Sequence, residues 1–422
     1  MRCLIKRVTI VDPASPLHRK TVDLFIQNGV LQAVDPATAP DAELLIEEEG
    51  LMLSPGWVDV GAYVGDPGLE HREDLQSLRQ AAAAGGYTQV AIWPNTSPAV
   101  DSKADIGYVL NQNPVNTVAL LPVGALSKGC MGTDLTEMID MHAAGAIGFS
   151  DGLVPVQDGG LMLRAMQYVQ FFDGLIFNQP LDIHVASDGQ MHEGLVSTSL
   201  GLRGLPRLAE ELMVYRDLEL LAYTGSRLHL HGLSAAGSVE KVRAAKLQGL
   251  RVSASVPVMN LVFTDEVLSQ FDSNYKVQPP LREPSDRKAL IEGLKDGTID
   301  FLYSNHVPLD PESKELEFPY ADFGAIGLET AFALCRTYLG DELPLDRLIE
   351  WLAHKPRKVL GLDPVVVKEG AAADFTLFHP DREWVYSEKE IRSKSHNSPL
   401  IGKTLKGQPR AIFRGNRAWY LK

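Results

Sequence analysis

The chain has 422 residues, 45% hydrophobic and 22% charged, with a formal net charge of -14 and no lysine- or arginine-rich run. That length suits one large domain with a smaller unit, and the charge argues against nucleic acid and anionic membranes as partners. No apolar stretch approaches the roughly 18–20 residues that span a bilayer, and the N-terminal segment lacks a signal-peptide pattern. Its three cysteines are far apart, which fits a reducing compartment, so we expect a cytoplasmic protein.

Residues 1–54 consist of short β-like runs separated by turns, for example "CLIKRVTIVDP" and "TVDLFIQNGVLQAV". The same style returns in residues 361–422, in "ADFTLFHP" and "PRAIFRGNRAWYL". Apolar runs of this length bounded by turn residues are typical of strands. We therefore predict a small, sandwich-like β-domain built from both segments.

Residues 55–360 change to short apolar runs that alternate with amphipathic helices such as "REDLQSLRQAAAAGG" and "SDRKALIEGLKDG". Eight strands alternating with helices predict a parallel sheet, and eight is the number that closes a TIM (β/α)8 barrel. The predicted fold class is therefore α/β, with a barrel in residues 55–360 and the β-domain attached to it. The predicted strands lie near residues 57–61, 88–93, 117–123, 146–150, 180–185, 228–232, 251–256 and 300–304.

Functional side chains of barrel enzymes lie at the carboxyl ends of the strands. The first predicted end lies in "PGWVDVGAYVGDPG", where Gly61 and Tyr63 share one face because strand positions two apart point the same way. A lone histidine on an apolar strand is more often a packed core residue than a ligand, and either His229 or His231 could be the inward one. The later ends carry mostly polar residues, namely Asn95, Asp151, His184, His231, Met259, Asn260, Asn305 and His306.

Longer segments carry a more specific signal. They include "PGWVDVGAYVGDPGLEHREDLQS", "HLHGLSAAGSVEKVRAAKLQGLRVSASV" and "KVQPPLREPSDRKALIEGLKDGTIDFLYSNHVP". Through them nearly the whole chain resembles the dihydroorotases of the amidohydrolase superfamily, in particular the type found in complexes with aspartate carbamoyltransferase. The resemblance implies the fold of a metal-dependent hydrolase of pyrimidine biosynthesis, whereas activity depends on the residues of the site.

Six positions depart from the family's site. Where the family has His-x-His-x-Arg, this chain has glycine, tyrosine and glycine, and glycine offers no atom to a metal. The family's aspartate of "DHAPH", a metal ligand and the expected general base, is an asparagine here, and an amide cannot relay a proton from metal-bound water. The resemblance thus implies lost functional groups at Gly61, Tyr63, Gly65, Met259, Asn305 and Leu309.

The resemblance also implies a surviving subset. Asp151 matches the carboxylate that bridges two metals in the family, and His184 and His231 match the histidines of the second metal. These three could hold one Zn²⁺ with an open position, or they could form a hydrogen-bonded cluster without a metal, and both alternatives stay open. Asn95 matches a substrate contact of the family, and Gln278 stands where the family has a substrate-contacting asparagine.

Two functions of different classes follow. The first is a dihydroorotase-like protein, catalytically inactive or impaired, that acts as a non-catalytic assembly partner; we expect a homodimer and, by family analogy, aspartate carbamoyltransferase as the partner. The alternative is an active cyclic amidohydrolase with one zinc ion, acting on carbamoyl aspartate and dihydroorotate or on a related cyclic amide or imide. A third hypothesis, a small-molecule sensor, has only Asn95 and Arg282 as polar anchors.

Overall fold

The computed structural model describes residues 1–38, 40–113 and 117–421. Strands β1 to β17 span, in chain order, Arg2–Ile10, Thr21–Gln27, Val30–Val34, Leu44–Glu47, Met52–Pro55, Trp57–Ala62, Tyr87–Ile92, Ala119–Pro122, Leu175–Asn178, Met191–His192, Gly204–Leu205, Arg227–Leu230, Val252–Pro257, Phe301–Tyr303, Asp374–Val385, Thr404–Arg414 and Arg417–Tyr420. Helices α1 to α14 span Leu75–Ala84, Lys103–Leu110, Met138–Ala144, Gly159–Val169, Ile183–Ala186, Leu195–Leu200, Arg207–Thr224, Ala236–Leu247, Val258–Val262, Pro284–Asp296, Pro311–Lys314, Ala331–Tyr338, Leu345–Ile349 and Lys355–Leu360.

The first five and last three strands share one sheet, in the order β17-β16-β15-β5-β1-β2-β3, with β4 beside β1. Its buried face packs residues from both segments together, including Ile5, Leu24, Leu53, Phe375 and Phe413. Neither segment could bury this face alone, because its apolar partners lie at the opposite end of the sequence. The predicted β-domain from both segments is therefore confirmed.

The barrel consists of two parallel groups, β6-β7-β8 and β9-β12-β13-β14. Phe149 connects them, because it bridges Gly124 on one side and Ile176 on the other. On the opposite side the Tyr63 N–H donates to the carbonyl of His306 (2.9 Å), next to β6 and β14. These contacts close the ring of eight strand positions, and the predicted barrel is confirmed.

Local sequence marks the ends of two of the quoted helices. Asp74 accepts hydrogen bonds from the N–H groups of Gln76 and Ser77 and so caps α1, while the Ser77 hydroxyl accepts one from the Asp74 N–H and completes a capping box. Helix α10 has Pro284 in its first turn and ends at Gly297, which adopts a left-handed conformation. The quoted amphipathic segments are thus helices that cover the barrel.

The predicted fifth strand is wrong. The strand at this place is β9, Leu175–Asn178, and the predicted segment 180–185 instead enters the short helix α5. Pro180 cannot donate to a strand ladder, and the Asp182 side chain accepts hydrogen bonds from the N–H groups of His184 and Val185, which starts the helix. His184 therefore lies on a helix after the strand rather than at the strand end.

The two domains contact each other through buried groups. Trp57 at the start of β6 donates its N–H to Thr376 Oγ1 of β15 (3.2 Å), and Arg357 of α14 pairs with Asp374 (2.9 Å). Within the described chain, no helix has both the length and the hydropathy needed to cross a membrane. All three cysteines are buried and free.

Candidate functional site

At the carboxyl end of β6, Gly61 leaves room for a bulky neighbour. Its φ of +89° lies in the left-handed region. A Cβ at this position would lie 2.6 Å from Trp93 Cζ2 and 2.8 Å from His231 Nε2, closer than real Cβ contacts. Trp93 follows β7, the strand next to β6, so its indole takes the space that a larger side chain at position 61 would need.

His231 lies in an aromatic enclosure beside Gly61. Its ring is 4.8 Å from the Trp93 ring and 3.9 Å from the Tyr303 ring, centroid to centroid. Nδ1 lies 3.1 Å from Ser255 Oγ, while Nε2 has no hydrogen-bond partner among the described residues. Burial lowers the pKa of His231 to about 3, so the imidazole is neutral at physiological pH. His229, the other candidate, lies deeper between Ser253 and Ser255.

Asp151 is buried and satisfied by the protein. Ser127 donates both its N–H (2.8 Å) and its hydroxyl to the carboxylate. Asn95 donates its side-chain amide to the Asp151 carbonyl (2.9 Å) and accepts a hydrogen bond from the Leu153 N–H. Burial raises the pKa of the Asp151 carboxyl, and the hydrogen bonds from Ser127 oppose that shift. Asn95 thus fixes the loop after Asp151.

His184 does not belong to the group of strand-end residues that includes Asp151 and His231. Its side chain is exposed on α5, whereas β9 ends at Asn178 and is followed directly by the buried Gln179. Gln179, a residue that the sequence analysis did not single out, thus follows the fifth strand end directly. The signal that could have found it is the run "LIFN" followed by Gln-Pro, because proline marks the end of the strand.

The other departures from the family pattern form an apolar wall. Tyr63, Val307 and Leu309 are buried against one another, with Leu153 packed beside them. Burial raises the pKa of the Tyr63 phenol, which makes the metal-binding phenolate still less accessible. At Gly65 a Cβ would lie 2.1 Å from the carbonyl oxygen of Leu69, so no arginine fits on this backbone.

The loops after β13 and β14 are fixed by amides. Asn305, at φ +53°, donates its side chain to the carbonyl of Gln278 (3.2 Å), and Asn260 donates to the carbonyl of Pro280 (2.9 Å). Met259 is buried on α9. The position of the family's general base therefore holds an amide that orients the segment around Gln278.

Several polar and charged side chains surround Arg282 near this end of the barrel, and we call them the Arg282 network. Arg282 donates to Ser234 Oγ (2.7 Å) and Glu210 Oε2 (3.2 Å), and lies 3.2 Å from His192 Nδ1. Burial lowers the pKa of His192 to about 4, and the neighbouring arginines add to this shift. The other members of the network are Arg207, Glu283 and Asp286.

The residues do not fit a zinc site. Asp151, His184 and His231 do not bring three ligand atoms together; across residues 1–38, 40–113 and 117–421, such a group occurs only at His192, Glu283 and Asp286. There Arg207 already donates to both Asp286 oxygens (2.9 Å each) and to Glu283 (2.7 Å). A divalent cation would have to displace this partly exposed guanidinium from the buried Asp286 carboxylate, so the acids are used for an ion pair.

A cavity of about 290 Å³ opens among the loops at this end of the barrel, and we call it the mouth cavity. Gln179 and Gln278 contribute amides to its wall, and the residues around them are largely apolar. Its wall contains no charged side chain among the described residues. The main apolar contributors are Leu153, Leu205, Val307 and Phe323.

Known proteins with similar sequences cover almost the whole chain. The family model described as Dihydro-orotase-like matches residues 50–238. A protein named dihydroorotase from Syntrophus aciditrophicus is 39% identical over 412 residues, which are 97% of this chain and 96% of the relative. Another, from Pelotomaculum thermopropionicum, is 40% identical over 422 residues, covering 99% of this chain and 98% of the relative.

Solved structures support the same fold. The L-hydantoinase (dihydropyrimidinase) from Arthrobacter aurescens superposes with a TM-score of 0.84 at 23% identity and covers 100% of this chain and 97% of its own. A D-hydantoinase structure gives a TM-score of 0.82 at 20% identity, with 99% and 95% covered. The structural neighbours show the fold, and the full-length sequence relatives show that the chain belongs to the dihydroorotase family of the amidohydrolase superfamily.

Proposed function

We propose that this protein is a non-catalytic dihydroorotase homologue that serves pyrimidine biosynthesis as an assembly partner of aspartate carbamoyltransferase. The observation that carries the proposal is the contact between Gly61 and Trp93. Gly61 provides no ligand atom of its own, and the indole occupies most of the space in which a longer side chain at this position could reach a metal.

The size of the expected loss supports this proposal. Hydrolysis in the family needs ligands for its metals, a base and an anion clamp, and those positions hold Gly61, Tyr63, Asn305 and Gly65. If each lost role costs about 2–3 kcal/mol of transition-state stabilisation, four roles together lower the rate by roughly six to nine orders of magnitude. No useful turnover of dihydroorotate would remain.

An exposed apolar stripe on α7 supports the assembly role. Leu208, Leu212, Tyr215 and Tyr223 lie on one face of this helix at intervals of four, three and eight residues and are 53%, 41%, 55% and 76% exposed. Contiguous exposed apolar surface marks interaction sites in soluble proteins. We call this the α7 stripe and assign to it the homodimer or the carbamoyltransferase contact.

The proposal is tested first by activity. The purified protein is assayed for interconversion of carbamoyl aspartate and dihydroorotate in both directions, with added zinc and an active dihydroorotase alongside. We expect no turnover even at a detection limit about 10⁵-fold below the activity of the control enzyme. Turnover that persists through further purification and disappears in Asp151→Ala would overturn the non-catalytic assignment.

Metal content and assembly are measured on the same preparation. We expect zinc well below one equivalent, and no change in Asp151→Ala/His231→Ala. Gel filtration with the aspartate carbamoyltransferase of the same organism should give one joint peak at micromolar concentration. Two independent peaks would contradict the assembly role, whatever the activity assay shows.

A further inference from the structure

Two glutamine side chains of the mouth cavity have no hydrogen-bond partner among the described residues. Gln179 is 5% exposed and Gln278 is half-buried, and both contribute to the cavity wall. Within the described part of the chain, neither side-chain amide forms a hydrogen bond, although Gln278 accepts one from Asn305 through its backbone carbonyl. Because the protein does not use these two amides in hydrogen bonds of its own, both are available to pair with a ligand that enters the cavity.

The remaining wall selects against charge. Apolar surface comes from Leu153, Leu205, Val307 and Phe323. Among the described residues, none with a charged side chain lines the cavity. A carboxylate or ammonium group entering this cavity would lose its hydration without gaining a counter-ion. An uncharged ligand with an apolar body loses little hydration and gains contact with these side chains.

We propose that the mouth cavity binds an uncharged carboxamide with a small apolar body, without converting it. A carboxamide both donates and accepts hydrogen bonds along one edge, as the glutamine side chain does, so Gln179 and Gln278 can pair with it in both directions. This inference goes beyond the assembly role and does not depend on it, because it rests on the cavity wall alone.

The cavity limits the size of the ligand. A volume of about 290 Å³ is at the lower end of ligand pockets, which run from roughly 300 to 1,000 Å³. One substituted ring or a short branched chain fills such a space. For so small a ligand we expect a dissociation constant on the order of 1 mM.

Benzamide, benzoate and toluene provide matched probes, because they share a ring and differ in the polar group. Titration calorimetry and saturation-transfer NMR on the full chain should show saturable benzamide binding. Benzoate and toluene should bind at least about tenfold more weakly, since one adds a charge and the other lacks the amide. Equal binding of benzoate, or no saturation by benzamide up to about 20 mM, would overturn the proposal.

A charge exchange tests the role of Gln179 directly. In Gln179→Glu we expect benzamide binding to fall about tenfold and benzamidine, its cationic counterpart, to become the preferred probe. The control is Gln76→Glu, an exposed position on α1 away from the cavity, which should leave both affinities unchanged. Unchanged preference in a folded Gln179→Glu variant would refute the assignment.

Gln278→Leu provides a second variant at a half-buried position. It should weaken benzamide about tenfold while leaving toluene binding unchanged or stronger. Equal loss of both probes, or loss of neither, would contradict a hydrogen bond from this amide. Thermal unfolding of each variant confirms that a loss of binding is not a loss of folding. These binding measurements are made without the carbamoyltransferase. A negative result here therefore leaves the proposed assembly function unaffected, and a negative assembly result leaves this binding proposal unaffected.

Discussion

The strand ends around Gly61 and the Arg282 network are both buried, yet only the network keeps its charges. In the network, Arg282 and Glu210 are each 2% exposed and lie 3.2 Å apart. Around Gly61 the neighbours are Trp93, Tyr303 and a neutral His231. The difference lies in where the partner of each charge would come from.

In the network every partner named above belongs to the chain itself, so the buried charges are compensated whenever the protein is folded. At the strand ends, by contrast, the family's partners are metal ions and a substrate. A cluster of acids and histidines without those ligands would carry an uncompensated desolvation cost. Replacing it with packed aromatic and apolar side chains removes that cost, and four predictions test this contrast.

Breaking the network should have the largest effect on stability. Glu210→Ala leaves Arg282 buried without its carboxylate and leaves the hydroxyl and N–H of Ser234 without their acceptor. We expect the free energy of unfolding in urea to fall by about 3–5 kcal/mol. Glu219→Ala, an exposed position on the same helix, should change it by less than about 0.5 kcal/mol. A small effect of Glu210→Ala would mean that the network is not compensated in the way described.

A side chain at Gly61 should cost less, because it overfills contacts with two neighbours, Trp93 and His231, and leaves no charge unpaired. We expect Gly61→Ala to lower stability by about 2–3 kcal/mol through left-handed strain and the clash with Trp93. Gly249→Ala has a similar φ of +80° with open space around the Cβ, and should show the strain alone, about 1 kcal/mol. In a Trp93→Ala background the cost at Gly61 should fall, while the 2.8 Å contact with His231 Nε2 remains, and an unchanged cost would refute the clash with Trp93.

The network should also give a pH dependence. The folded pKa of His192, about 4, lies below its unfolded value of 6.5, so His192 contributes stability above pH 6.5 that is lost as pH falls toward 4. The charged groups facing it are Arg282, Arg207, Glu283 and Asp286. Between pH 7 and pH 5 we expect the wild type to lose about 1–2 kcal/mol more than His192→Gln. Parallel curves for the two proteins would contradict a neutral buried imidazole.

The α7 stripe should affect assembly without affecting the monomer. Tyr215→Glu places a charge in the middle of the stripe and should weaken self-association or carbamoyltransferase binding at least about tenfold, measured by sedimentation velocity. Monomer stability should change by less than about 0.5 kcal/mol, because the side chain is exposed. Leu247→Glu, at an exposed leucine on α8, is the matched control and should leave association unchanged. Equal effects of the two substitutions would remove the stripe from the interface.

The sequence predicts most of the fold because strand and helix periods differ clearly in the barrel region. It fails at the fifth strand, where "LIFN" and "PLDIHV" are both plausible strands and the capping role of Asp182 decides between them. The misplaced strand then put His184 at the strand end in place of Gln179. This error concerns local backbone chemistry rather than the overall architecture.

The missing ligand atoms are visible in the sequence at Gly61 and Asn305, whereas the packing that replaces them is not. That Trp93 fills the space beside Gly61 follows from β6 and β7 being neighbours and from the side-chain rotamer, and neither is set by local pattern. The apolar contact of Tyr63 with Leu309 joins residues from opposite ends of the barrel sequence. Side-chain contacts between distant segments therefore required the structure.

The order of synthesis delays the folding of the β-domain. Trp57 N and Thr376 Oγ1, which join β6 to β15, are separated by 319 positions in the chain. The apolar faces of β1, β2 and β5 must wait for Phe375 and Phe413 until the ribosome has made the entire barrel. During that interval the edge of β5 that later pairs with β15 is unpaired, and an exposed strand edge of this kind favours aggregation of the nascent chain.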